Sequence, residues 1–142
     1  MSSDNDLARA AWAAMQVFVQ GADRRRALHA ELGIGNDKAE LLISLARAPM
    51  TLREISRAFD VDPSAATVAA DRLERRGFVR REAHPDDRRS KLVSLTDKGR
   101  QAAATAHRII TDPPAALRAL DADRLAALTR ILADLTAEHP QP

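Results

Sequence analysis

The chain has 142 residues, 45% apolar, 30% charged and 3% aromatic, which is enough to close one core and too apolar for a disordered segment. It has no cysteine, which excludes disulfides, thiolate metal sites, iron–sulfur clusters and thiol redox sensing. No apolar run approaches the roughly 18–20 residues of a membrane span, and the start MSSDNDLARA lacks the basic-then-apolar pattern of a signal peptide, so a cytoplasmic protein is expected. The net charge is only +2, but between Arg72 and Lys91 lie eight basic and four acidic residues. Such a local basic stripe is the footprint of a nucleic-acid contact, and equally of a solvated surface hairpin.

In chain order, the first 32 residues read as one helix, with Leu7, Ala11, Ala14 or Met15, and Phe18 on one face and Trp12 nearby. Arg24-Arg25-Arg26 reads as a solvated face, with a partner or phosphate contact as the alternative, and Gly33-Ile34-Gly35 ends the helix. Asn36 is the expected N-cap of a second helix, with Leu41, Leu42 and Leu45 inward and Pro49 as its stop. Thr51-Leu52-Arg53-Glu54 has the capping-box form and opens a short third helix that turns Leu52, Ile55 and Phe59 inward. Asp62 is expected to cap a fourth helix with Pro63 at its first position, ending at Gly77. The period then changes. Phe78–Glu82 and Lys91–Leu95 read as strands of a hairpin with a charged tip, Ala83–Ser90. Thr96 caps a fifth helix that reaches about Thr111, where Asp112-Pro113-Pro114 breaks it. A short helical piece follows. Asp121 caps the last helix, whose Leu125, Leu128, Leu132 and Leu135 form a stripe for a monomer core or a helix–helix interface. Fraying is expected at Ser2–Asp6 and His139–Pro142.

Two short helices joined by a tight turn and followed by a hairpin make a winged helix-turn-helix, so the expected class is mainly α with a small β-hairpin wing (α+β). In that arrangement the fourth helix enters the major groove. Its Ala66, Ala69, Ala70 and Leu73 repeat at inward spacing, which leaves Ser64, Ala65, Thr67, Val68, Asp71 and Arg72 outward. Ser64 and Thr67 suit hydrogen bonds to base edges or phosphates, and Ala65 and Val68 suit thymine methyls. Arg72 and Arg75, further along, suit the backbone. The plainer alternative is a cap at Ser64 and ordinary surface pairs at Asp71 and Arg72.

Three phrases carry a resemblance: Val61-Asp62-Pro63-Ser64; Asp71-Arg72-Leu73-Glu74-Arg75-Arg76-Gly77-Phe78-Val79; and Asp86-Asp87-Arg88-Arg89-Ser90-Lys91 leading to Leu95-Thr96 and Gly99. Together, over about residues 36–100, they resemble the MarR family of bacterial transcription regulators. The resemblance implies a homodimer whose terminal helices, residues 1–35 and 101–142, interleave for dimerisation. It implies two winged lobes, each residues 36–100, on a pseudo-palindromic duplex. Arg89 would then enter the minor groove with Asp87 as its brace, Arg88 would meet a phosphate, and Lys91 would add charge to the wing. Many relatives answer to a small aromatic or lipophilic effector, for which Trp12, Met15, Phe18 and His29 are candidate pocket residues here. Ala66, Ala69 and Ala70 stand where the family often has larger aliphatics, and Val68 where it often has a basic or polar residue.

The expected function is therefore a dimeric, sequence-specific regulator of transcription, acting as a repressor that an effector relieves. The alternative is a winged-helix interaction module that reads no DNA, which would not need a paired Asp and Arg at the wing tip. An enzyme is not expected, because the chain lacks a Gly-rich phosphate loop, a nucleophile elbow and an enclosed carboxylate pair. No cofactor is expected. His29, His84, His107 and His139 lack metal-ligand spacing, so no metal is expected either and each histidine reads as a surface group.

Overall fold

A computed structural model describes residues 2–138; His139 and the expected frayed tail lie outside the described residues. These residues fall into two units that part between Thr111 and Asp112.

The first unit opens with α1 (Ser2–Gly21) and α2 (Arg25–Leu32). The expected single helix is thus two. Helix α1 runs from Ser2, so the expected fraying at Ser2–Asp6 is replaced by helix, with Asp4 in its first turn. The break follows Gly21. Beyond it the Asp23 carboxylate accepts the Arg25 N–H at 2.8 Å, which starts a new helix. That backbone bond, with the Arg25 guanidinium at 2.9 Å, holds the Asp23 carboxyl below its usual range. Helix α2 ends at Gly33 in the left-handed region (φ 65°).

Helix α3 (Asn36–Arg47) is preceded by Gly35 at the N-cap, so Asn36 is the first helical residue and not the cap. It buries Ala39, Leu41, Leu42 and Leu45. Ala48 is extended, as a residue before proline must be. A two-residue strand, β1 (Met50–Thr51), leads into α4 (Leu52–Ala58). Thr51 Oγ accepts the Glu54 N–H at 3.1 Å, and its hydroxyl lies 3.2 Å from the Glu54 carboxylate. Asp60 then takes φ 49°, with its N–H on the Arg57 carbonyl and that of Val61 on Ser56. This turn feeds α5 (Pro63–Arg75). Asp62 holds the N-cap position, but its carboxylate makes no capping bond there. Helix α5 ends in a Schellman motif: the Gly77 N–H (φ 76°) reaches the Glu74 carbonyl, and the Phe78 N–H reaches Leu73.

Strands β2 (Val79–Ala83) and β3 (Lys91–Leu95) form the hairpin, and β1 pairs with the far edge of β3. The sheet is therefore three-stranded, in the order β1-β3-β2, with Val79 opposite Leu95 and Arg81 opposite Val93. Thr96 Oγ accepts the Gly99 N–H and caps α6 (Asp97–Thr111). Helix α6 packs on α3 and α2, burying Gly99, Ala102, Ala103, Ala106 and Ile109. One core joins the elements from α2 to α6, and its fully enclosed large side chains include Leu28, Leu42, Ile55, Leu73, Val79 and Val93.

The second unit holds α7 (Ala115–Arg118) and α8 (Ala122–Glu138). Pro114 ends the break and sits at the N-cap of α7, and Arg118 pairs with Asp112 at 3.1 Å. Asp121 accepts the Arg124 N–H at 2.9 Å and so opens α8, as its position predicts. Helix α8 buries no residue, so its leucine stripe is not the core of this chain.

Candidate nucleic-acid interface

Helix α5 turns Ala66, Ala70 and Leu73 into the core, with Ala69 half-buried beside them. Ser64, Ala65, Val68, Arg72 and Arg75 lie on its exposed side. Val68 is 49% exposed, an apolar side chain that the lobe leaves to solvent. Thr67 is half-buried, and its hydroxyl donates to the Pro63 carbonyl at 3.0 Å. Its proton is therefore used within the helix, and only its lone pairs remain for a donor outside. Ser64 has no such bond. The exposed edge at the helix start is small and nearly uncharged, which permits close approach by a polyanion.

At the tip of the wing, Asp87 has a different job from the one expected. Its carboxylate accepts the Arg89 backbone N–H at 3.0 Å and lies 3.4 Å from the Ser90 hydroxyl. It shapes the turn and makes no bond to the Arg89 guanidinium. The reason is local: an aspartate two residues before an N–H closes an Asx turn more cheaply than it reaches a long side chain. His84 completes the loop. Its N–H reaches the Ser90 carbonyl at 2.9 Å, and its Nδ1 accepts the Asp86 N–H at 3.0 Å. Among the described residues, the side chains of Arg88, Arg89 and Lys91 have no partner, and all three are exposed.

The wing and α5 are tied at Arg81, a residue the sequence reading passed over. Its guanidinium meets Asp71 at 2.6 Å and Glu74 at 3.0 Å, and its backbone N–H donates to Glu74 at 3.1 Å. The Arg81 hydrogen bond holds the Glu74 carboxyl below its usual range, and Glu74 in turn raises Arg81 further above neutrality. Period-two alternation carried a signal for this contact. Val79 is buried, so Arg81, two residues on, shares its face and meets the helix.

The candidate effector residues are not assembled. Trp12 and Met15 line a shallow hollow on α1 of about 250 Å³, with Gln16 and Val19. Phe18 lies outside that hollow. His29 lines a separate cavity beside α5. Helical spacing puts Phe18 on the same side of α1 as Met15, but the turn after Gly21 carries His29 elsewhere. No group of three or more potential metal ligands occurs among the described residues, and none of their helices is long and apolar enough to cross a membrane.

Residues 40–91 match the model of the MarR family. Over 50 residues the chain is 42% identical to the transcriptional repressor MdtR of Bacillus subtilis, covering 35% of this chain and 32% of that one. The chain spans about two fifths of the length of the curated relatives it matches. Solved structures agree over a longer stretch. Wild-type MarR from E. coli superposes with a TM-score of 0.70 at 27% identity, covering 87% of this chain and 94% of that one. Reduced AbfR, solved bound to DNA, superposes at 0.56 with 25% identity over 99% of this chain and 96% of that one.

Proposed function

We propose that this chain is a homodimeric regulator of transcription of the MarR type that binds double-stranded DNA by sequence. The observation that carries the reading is the pairing of two free surfaces. The exposed edge of α5 and the unpartnered Arg88, Arg89 and Lys91 of the wing are held in one frame by Arg81. On this reading α5 lies in the major groove. Ser64, Ala65, Thr67 and Val68 meet base edges, and Arg72 and Arg75 meet the backbone. Arg89 enters the adjacent minor groove, where narrow walls concentrate negative potential. Asp87 sets its direction through the backbone of the turn. Arg88 and Lys91 meet phosphates.

A second copy covers the apolar sides that α1 and α8 each expose, and a two-fold dimer then reads a pseudo-palindrome with half-sites about one helical turn apart. The chain acts as a repressor by covering promoter DNA, as the transcriptional repressor MdtR is named for doing at its own targets. A small aromatic or lipophilic effector releases it by changing the spacing of the two α5 helices. Trp12 and Met15, in their hollow on α1, are the residues that favour such a ligand. The regulator works in the cytoplasm, with its DNA.

The test begins with duplexes selected from a random pool and read by fluorescence anisotropy. Arg89→Ala should weaken binding to all selected duplexes by about tenfold, the scale of one charged hydrogen bond. Val68→Thr should change which duplex is preferred and leave the mean affinity close to the parent's. A parent chain that selects no sequence sinks the reading. An Arg89→Ala chain that binds as tightly as the parent at matched salt removes the wing from it.

A further inference from the structure

Beside α5, on the side of the α2–α3 loop, lies a cavity of about 420 Å³. Its floor is Ile34 and Leu73, both buried. Its walls carry Lys38, Arg72, Arg75 and Arg76, with His29 at one side, and no carboxylate lines it. Asp37, the neighbouring acid in sequence, lines a different hollow. Four permanent cations around one space, with no counter-charge in the wall, repel one another, and an anion entering the space relieves that repulsion.

The four cations are not equivalent. Arg76 is fixed: its guanidinium donates to the carbonyls of Gly33, at 3.0 Å, and Leu32, and it lies 5.5 Å from the centre of the Phe78 ring. Arg75 makes only a long contact, 3.4 Å, to the Asp71 carbonyl. Lys38 and Arg72 have no side-chain partner among the described residues. Two guanidinium forks and an ammonium are therefore available around a rigid third fork. That donor set fits an oxyanion with several acceptor oxygens and more than one negative charge.

We propose that this cavity is a phosphate-binding site in which Lys38 is the anchoring residue. The phosphate comes from the backbone of bound duplex or from a phosphorylated small molecule that competes with duplex for Arg72 and Arg75. The link to duplex rests on the function proposed above, whereas phosphate binding by the free chain does not.

The experiment has two arms, each run on the full chain and on Lys38→Ala and Lys38→Arg, with far-UV circular dichroism to confirm equal folding. In the first arm pyrophosphate is titrated calorimetrically into the protein without DNA, at ionic strength held constant with chloride. Binding that weakens at least tenfold in Lys38→Ala and returns in Lys38→Arg establishes the site for a free phosphate. Displacement of a selected duplex by pyrophosphate at the same ionic strength then makes it a competitor. In the second arm the salt dependence of duplex binding is measured. No heat from pyrophosphate, together with a severalfold loss of duplex affinity and a salt slope lower by about one in Lys38→Ala, assigns the cavity to the DNA backbone. If Lys38→Ala changes neither pyrophosphate binding nor duplex binding, the proposal is overturned. A chain that binds pyrophosphate through Lys38 but no duplex at all keeps the site and removes the regulator reading instead.

Discussion

The winged lobe with α2 and α6, and the helices α1 and α8, all carry apolar residues at helical spacing, but only the former use them internally. Helix α3 buries Ala39, Leu41, Leu42 and Leu45 against the rest of the lobe. Helix α1, by contrast, leaves Leu7, Trp12, Val17 and Val19 at least 60% exposed. Helix α8 leaves Ile131, Leu132 and Leu135 exposed and buries nothing. A helix without a packed face has little to hold it, since propensity alone is marginal at this length. The contrast shows that hydrophobic periodicity reports a helix face but not what that face meets. The lobe completes its own core, whereas α1 and α8 leave apolar residues uncovered, which is the physical ground for the proposed dimer.

Two substitutions test the contrast most strongly. An alanine at Gly99 would set its Cβ 1.8 Å from the Phe78 carbonyl oxygen, so α6 would have to move away from the turn that ends α5. Gly99→Ala should cost the lobe about 3 kcal/mol or more in urea unfolding, because backbone cannot step aside as a side chain can. Leu132→Ala removes a leucine that is 40% exposed in one chain. It should leave the lobe folded and weaken self-association by about tenfold or more. That matches the roughly 1.5–3 kcal/mol of burying one leucine. Sedimentation over a range of protein concentrations reads this directly. Unchanged self-association would mean that α8 is not completed by a second copy.

The same contrast explains what was legible beforehand. Helix α5 was bounded correctly because Pro63 and Gly77 each act within their own turn. The wing strands, the Thr96 and Asp121 caps and the break at Pro113-Pro114 were legible for the same reason. Strand β1 was not, because two residues form a strand only through pairing with β3, some forty positions away. The division of the first helix had a signal in Gly21 and Asp23 that the apolar stripe overrode. At the candidate site Thr67 and Asp71 are half-buried, whereas the exposure of Ser64, Ala65, Val68 and Arg72 followed from spacing. The Asp71–Arg81–Glu74 tie and the cavity around Lys38 did not, because both join segments that only the folded chain brings together.

A smaller effect comes from the tie itself and belongs to the lobe alone. Glu74 has a carboxyl pKa lowered by the Arg81 hydrogen bond. A depressed carboxylate stabilises the fold at pH values above its unfolded pKa, and that stabilisation fades as pH falls through the folded value. The lobe should therefore lose this contribution below the ordinary glutamate range of about pH 4–5. Glu74→Gln should flatten the dependence of unfolding midpoint on pH in that acidic window and leave it unchanged above pH 6. Because the wing is positioned through the same contact, Glu74→Gln should also weaken duplex binding a few fold at neutral pH. A variant whose acid profile overlays the parent's would show that the pair adds no stability.

The smallest effect lies in the turn between α4 and α5. Asp60 sits at φ 49°, a left-handed conformation that an L side chain adopts at a cost and glycine adopts freely. Two hydrogen bonds hold the turn there, from Asp60 N–H to Arg57 and from Val61 N–H to Ser56, and neither uses the Asp60 side chain. Asp60→Gly therefore removes strain without removing a contact. The greater freedom of glycine in the unfolded chain offsets part of that gain, leaving about 0.5 kcal/mol of stabilisation. The urea midpoint of the lobe should rise slightly while the self-association constant stays that of the parent, because Asp60 is not among the exposed apolar residues of α1 and α8. A change in self-association on Asp60→Gly would mean that the lobe and the dimer contacts are energetically coupled, and the separation drawn between the two regions would fail.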